Sequence, residues 1–150
     1  MQVINFYSVS DEYGDFSNFA KFPIKLKGKT WLTSEHYFQA MKFEPSKDKE
    51  EIRKAKKPMI AALMGRDRKR KLKKNWESIK DNVMRDAVFA KFSQHKALMQ
   101  LLLSTGSSKI VEHTDNDSYW GDGGDGKGRN MLGIILMETR KKMQLSQFRT

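Results

Sequence analysis

The alternation of apolar and polar positions divides the chain into short elements. Residues 3–7 are apolar and aromatic, the composition of a short strand. Ile24 and Leu26 alternate with Lys25 and Lys27, a period of two that predicts a strand, and Gly28-Lys29 supplies the tight turn leading on to Trp31. Thr33-Ser34 predicts the cap of a helix whose Tyr37, Phe38, Ala40 and Met41 face a core. Pro45-Ser46 ends it, and a charged helix follows as far as Ala55. Pro58 suits the first position of a helix and Gly65 its stop, around the apolar residues 59–64. The strongest periodic signal comes next: Trp76, Ile79, Val83, Met84, Ala87, Val88 and Phe92 fall on one helical stripe. After a break at Ser93-Gln94 a further helix runs to Leu103 and stops at Thr105-Gly106. Ile110-Val111 predicts a short strand, residues 115–130 a glycine-rich acidic loop, and residues 131–143 a last helix. Strands and helices do not alternate regularly, so the expected architecture is α+β, a helix-rich single domain over residues 1–150 with a small β-sheet.

Composition narrows the classes. Nine Phe, nine Met and three Trp in 150 residues suffice for a packed core and exclude wholesale disorder. No apolar run approaches the ~18 residues of a membrane span. Met1-Gln2-Val3-Ile4-Asn5 has neither the basic head nor the apolar body of a secretory signal. The expectation is a cytoplasmic chain without a membrane partner. The absence of cysteine excludes disulfides, a thiolate nucleophile and a thiolate metal site. The net charge is +11, and residues 66–74 hold seven cationic side chains against one anionic. Such a block suits a polyanion, whether nucleic acid, a phosphorylated metabolite or an anionic membrane surface, and it equally suits a solvated face. No aromatic is interleaved in it to stack bases, although Trp76 follows two positions later.

Several apparent motifs fail on chemistry. Residues 121–128 match the spacing of a phosphate-binding P-loop up to Lys127. Gly128 then stands where a Ser or Thr would hold magnesium, and Asp122 and Asp125 would repel a triphosphate. Gly121, Gly123 and Gly126 fit G-x-G-x-x-G without the surrounding βαβ unit. Asp115-Asn116-Asp117 opens like a calcium loop but fails at its fifth position, Tyr119, and its twelfth, Gly126. His36, His95 and His113 lie too far apart for a zinc pair. Neither a metal nor a nucleotide cofactor is called for.

Three stretches combine charge with aromatic surface. Ser34-Glu35-His36-Tyr37-Phe38-Gln39-Ala40 places Glu35 in the first turn of a helix, where the dipole favours a carboxylate. That suits a base or a cation stabiliser, and it also suits plain helix electrostatics. Trp76 beside the basic block is either the first core residue of its stripe or a ring lying against a planar base. Asp117-Ser118-Tyr119-Trp120-Gly121-Asp122-Gly123 sets two aromatics beside acids in a loop whose glycines allow close approach to a ligand.

These stretches belong to a longer series. Asn5-Phe6-Tyr7, Phe16-Ser17-Asn18-Phe19, the block from Thr33 to Ala40, and Met64-Gly65-Arg66 open it. Trp76 with Lys80 and Val83-Met84, Lys91-Phe92, Asn116-Asp117 with Tyr119-Trp120-Gly121-Asp122-Gly123, and Gly128-Arg129-Asn130-Met131-Leu132-Gly133 complete it. In that order, and across nearly the whole chain, the sequence resembles the NADAR family. The resemblance implies N-glycosidase chemistry: hydrolysis of the ribose–base bond in phosphorylated ribosylamino-pyrimidines of early riboflavin synthesis, releasing the free base and ribose 5-phosphate. Other members of the family remove ADP-ribose from guanine in nucleic acid, which makes ADP-ribosylated nucleic acid the alternative substrate. A non-catalytic nucleic-acid-binding module using residues 66–74 is the alternative of another class. The family's catalytic Glu and Trp fall on Glu35 and Trp76, and its acidic loop on residues 117–122, with Asp117 and Asp122 as candidate catalytic acids. Arg66 is the candidate for the 5′-phosphate. Asn18, Phe19, Tyr119, Trp120, Gly121 and Asn130 are the further substrate-binding candidates.

Overall fold

A computed structural model describes residues 2–148. The chain folds as two compact units, one built from its two ends (through Ala20 and from Phe92 onward) and the other from Lys21–Lys91.

In the first unit β1 (Val3–Phe6) pairs in parallel with β4 (Lys109–Glu112), Val3 opposite Lys109 and Phe6 opposite Glu112. β1 alternates as a half-buried strand should, with Ile4 and Phe6 inside and Val3 and Asn5 outside. Helices α5 (Lys96–Ser104) and α6 (Met131–Gln147) pack together, and α6 lies on β4. Gly133 permits that approach: a Cβ there would sit 2.2 Å from the Ile110 carbonyl oxygen. The buried Arg140 of α6 donates from Nη1 to Thr105 Oγ1 and to the Ser108 carbonyl, both at 2.8 Å, which pins the end of α5. Phe6, Phe16 and Phe92 meet edge-on, with centroids 5.8 and 5.7 Å apart.

In the second unit β2 (Ile24–Leu26) and β3 (Lys29–Trp31) form an antiparallel hairpin. Lys27 and Gly28 both have positive φ, 57° and 74°, the two-residue turn whose twist matches the strands. Trp31 is buried and its indole N–H donates to the Leu26 carbonyl at 3.0 Å. Helix α1 (Ser34–Ala40) starts at Thr33, whose hydroxyl accepts the His36 N–H. Helices α2 (Ser46–Arg53) and α3 (Pro58–Gly65) pack on α1, and the small buried Ala61 and Ala62 let α3 come close. α4 (Trp76–Gln94) starts in this unit, with Trp76, Met84, Ala87 and Val88 buried along its stripe.

The helix-rich α+β class matches the expectation, and each expected element is found. The strands form two separate two-stranded pairs. The last helix runs past residue 143 to Gln147. Among the described residues no helix is long and apolar enough to cross a membrane.

Candidate active site

α1 is buried along all seven residues although it carries a Glu, a His and a Gln, so each polar group needs a partner inside the protein. Two faces answer that need differently. On one, His36 accepts at Nδ1 from the Thr33 hydroxyl (2.7 Å) and donates from Nε2 to the Ala55 carbonyl (2.9 Å). Burial lowers its pKa, only partly offset by the Ala55 bond, so the ring is a neutral structural tie. Tyr37 beside it packs edge-on against Trp31 at 5.2 Å, and burial followed by the Asp86 charge raises its hydroxyl to about 12.

The other face carries Glu35, Phe38, Gln39 and, two residues past the helix end, Lys42, at spacings of three, four and seven from Glu35. Glu35 is 8% exposed, and its Oε2 accepts from Gln39 Nε2 at 3.0 Å. Lys42 Nζ stands 5.7 Å from the centroid of the Phe38 ring and donates to the Gly65 carbonyl at 3.4 Å, at the negative end of α3. Burial lowers the Lys42 pKa; the Glu35 charge opposes that, and Arg66 and Lys80 reinforce it. The Phe38 ring lies 5.2 Å from that of Trp76, tilted by 60°, and Trp76 is 5% exposed at the first position of α4. Glu35, Lys42, Arg66 and Trp76 thus lie in one unit, which holds a carboxylate, a lysine amine whose pKa burial lowers, and an indole.

The basic block is ordered by its neighbours. Leu72 bridges Phe43, the Lys73 N–H reaches the Lys42 carbonyl at 2.8 Å, and the Glu44 N–H reaches that of Lys71 at 3.1 Å. Arg70 is withdrawn from it, held by Asp48 (2.6 Å), Glu51 (3.1 Å) and Asp67 (3.6 Å). Arg66 caps the end of α3 and is exposed.

The acidic loop, with Asn18 and Phe19, lies in the first unit. Asn18 is buried and Phe19 half-buried, in the turn after the 3₁₀ helix at Gly14–Phe16. Asp117 Oδ1 accepts the N–H groups of Tyr119 (2.9 Å) and Trp120 (2.8 Å). Asp122 accepts three bonds: Thr114 N–H (3.0 Å) and Gly124 N–H (2.9 Å) on Oδ1, and His113 Nδ1 (2.7 Å) on Oδ2. Burial opposes ionisation there, but the His113 bond and then the two amides outweigh it, so its pKa is lowered. Gly121 is enclosed, with room for no Cβ: one would lie 2.9 Å from the Glu112 and Asp117 carbonyl oxygens. Asn130 takes a left-handed conformation before α6, accepts the Glu112 N–H at 3.0 Å and donates to the Ile110 carbonyl at 2.9 Å, bracing β4. Tyr119 and Trp120 meet edge-on at 4.9 Å, with Arg129 5.0 Å over the Tyr119 ring. Tyr119 and Arg129 border a depression of about 400 Å³. Among the described residues no cluster of three metal-ligating side chains occurs.

Sequence reasoning missed Lys42 and the part played by Gln39. The signal was present, since both repeat the position of Glu35 at helical spacing; the burial that gives them meaning was not.

The NADAR domain model matches residues 5–144. N-glycosidase YbiA of Escherichia coli is 62% identical over 145 residues, covering 97% of this chain and 91% of that protein. The NMR structure of E. coli YbiA superposes with a TM-score of 0.93 at 60% identity, over 99% of this chain and 89% of that one. A longer Vibrio vulnificus protein, riboflavin biosynthesis protein VVA0006, is 39% identical over 143 residues, 95% of this chain and 39% of its own length.

Proposed function

The chain belongs to the NADAR domain family and is a hydrolase of N-glycosyl bonds; we propose that it cleaves the ribose–base bond of a phosphorylated ribosylamino-pyrimidine from early riboflavin synthesis, in the cytoplasm. The products are the free base and ribose 5-phosphate. The observation that carries this reading is the grouping of Glu35, Lys42 and Trp76 around one face of α1. The riboflavin link in the name of the Vibrio relative supports the choice of base.

Breaking a ribosyl C–N bond builds positive charge on the sugar and negative charge on the departing base. A fixed carboxylate meets the first need: Glu35 stabilises the cation and takes a proton from the attacking water. The Trp76 indole stacks on the planar base, and Arg66 binds the 5′-phosphate by charge-assisted hydrogen bonds. Asp117 and Asp122 shape the loop that carries Tyr119 and Trp120.

The lowered pKa of Lys42 favours a second route through the same bond. Burial and the nearby Arg66 and Lys80 charges bring the neutral, nucleophilic form of its amine within easier reach. In its neutral form the amine attacks the anomeric carbon and expels the base with the bonding pair, and the base takes up the proton that the newly bonded nitrogen sheds. The sugar ring then opens to an imine, and water returns lysine and ribose 5-phosphate. Borohydride added during turnover separates the routes, because only an imine leaves ribose 5-phosphate bound to Lys42.

The reading is tested by incubating the purified chain with the phosphorylated ribosylamino-pyrimidine and, separately, with an oligonucleotide carrying ADP-ribosylated guanine, and identifying products by mass. Release of free pyrimidine and ribose 5-phosphate from the first is expected. Turnover of the oligonucleotide alone would move the assignment to the alternative substrate.

A further inference from the structure

We infer that Gly65 and Gln39 form a positioning device for Glu35, in which the missing side chain of Gly65 lets the Gln39 carboxamide take the one orientation that donates to the Glu35 carboxylate. The inference rests on the proposed role of Glu35 and adds two residues to it.

The carboxamide has a single workable orientation. Gln39 Nε2 faces Glu35 Oε2 at 3.0 Å. Turned over, it would set Oε1 against a carboxylate oxygen, acceptor facing acceptor. With Nε2 towards Glu35, Oε1 must point the other way. It is buried there and has no hydrogen-bond partner. A buried acceptor left unpaired is unfavourable, and native proteins keep few of them.

The orphaned oxygen lies against Gly65. A Cβ at residue 65 would come within 1.9 Å of Gln39 Oε1 and 2.6 Å of Gln39 Cδ. Gly65 sits in α3 and is not among the positive-φ glycines, so its backbone does not demand glycine. Alanine is the better helix former there. What glycine supplies at this position is therefore space, and Gln39 fills it. Any side chain at 65 pushes the far end of Gln39 away from Glu35 while leaving the packed backbone in place.

Most charged side chains around α1 are held by partners of their own. α3 contributes no ionisable side chain before Arg66. Lys42 and Arg66 supply positive charge, and Glu77 is tied to Lys80 at 2.7 Å. On α2, Asp48 and Glu51 hold Arg70, Glu50 holds Arg53 and Lys29 of β3, and Lys49 donates to the Glu44 carbonyl. His36, on the opposite face of α1, is fixed between Thr33 and Ala55.

The test compares Gln39→Met, Gly65→Ala and the double variant with the unaltered chain. Two readouts are used: the pH profile of kcat/KM on the phosphorylated ribosylamino-pyrimidine, and the ¹³C titration of the Glu35 carboxyl without substrate, assigned with Glu35→Gln. Losing a donor to the ionised form moves the acid limb and the titration midpoint upward by about 1 pH unit in each single variant. The double variant should match the singles instead of summing them, because both changes break one bond. A purely packing role would change melting temperature and leave both midpoints in place. Unshifted midpoints in both single variants, or additive shifts in the double, overturn the device. If Glu35→Gln is inactive while those midpoints are unshifted, only the device falls. If Glu35→Gln turns over normally the catalytic reading falls, and the carboxyl titration still decides whether Gly65 and Gln39 set the state of Glu35.

Discussion

Two regions carry acids beside aromatic rings, and they use them in opposite ways. In the loop after β4 the carboxylates of Asp117 and Asp122 are engaged by their own surroundings. Asp117 takes two backbone amides, and Asp122 takes two amides and His113. The first N–H groups of α6 are met by the Tyr119 and Trp120 carbonyls at 2.9 and 3.0 Å, so that helix start is capped by the loop. On α1 the carboxylate of Glu35 receives a side-chain donor, and that donor leaves its own oxygen unpaired. The neighbouring amine is pushed towards its neutral form. An acid whose oxygens are filled by main-chain amides holds a shape. An acid met by a side-chain donor beside a lysine whose pKa burial lowers is the one to which the proposed function gives the chemistry.

The comparison makes its largest claim at Glu35. Glu35→Gln preserves shape and removes the charge, and should lower kcat/KM by about 10²–10⁴-fold with little change in melting temperature. Steady-state rates on the ribosylamino-pyrimidine substrate measure it. If Asp122→Asn were equally damaging at unchanged stability, the division between the two regions would be wrong. Asp122→Asn should instead act on folding. Replacing charge-assisted bonds by neutral ones costs roughly 1.5–3 kcal/mol, read from urea denaturation midpoints. The effect also depends on pH. The native pKa of Asp122 lies below its ordinary 3.8, so its contribution is complete above that value and disappears as pH falls through the native one. The two chains should therefore converge in stability under strong acid.

The legible parts of the chain were those whose causes are local. The Thr33 cap, Pro58 and Gly65 at the ends of α3, and the stripe of α4 all follow from neighbours within two turns. Glu35 and Trp76 stood out by residue type and resemblance, and the structure adds that Trp76 packs on Phe38, three residues along α1 from Glu35. What the sequence hid depends on partners far along the chain. β1 pairs with a strand a hundred residues away, and a parallel pair leaves no turn signal. Arg70 reads as one more cation of a basic block until Asp48 and Glu51 are seen to hold it. Gly65 reads as a helix stop, and its second property appears only when Gln39 is packed against it. Asn130 offers an ordinary polar side chain whose two ends turn out to brace β4.

The smallest effect is expected on the outer face of α2, where an acid is paired without being part of either region. Glu50 accepts from Arg53 at 2.7 and 2.9 Å and from Lys29 at 2.7 Å, and those bonds, Arg53 first, lower its pKa from 4.5 to about 2. A depressed native pKa means that its contribution is full above pH 4.5 and is lost as pH falls from there towards 2. The group is open to solvent, so salt screens it and the loss in Glu50→Gln should be slight. Melting curves at pH 6 in low salt should show a small deficit for the variant, which closes at pH 2 and again in about 1 M salt. Turnover at pH 7 should match the unaltered chain, because Glu50 is engaged by Lys29 and Arg53, whereas the proposed catalytic Glu35 accepts from Gln39. A fall in kcat/KM with this variant would mean that the surface charges of α2 act on Glu35.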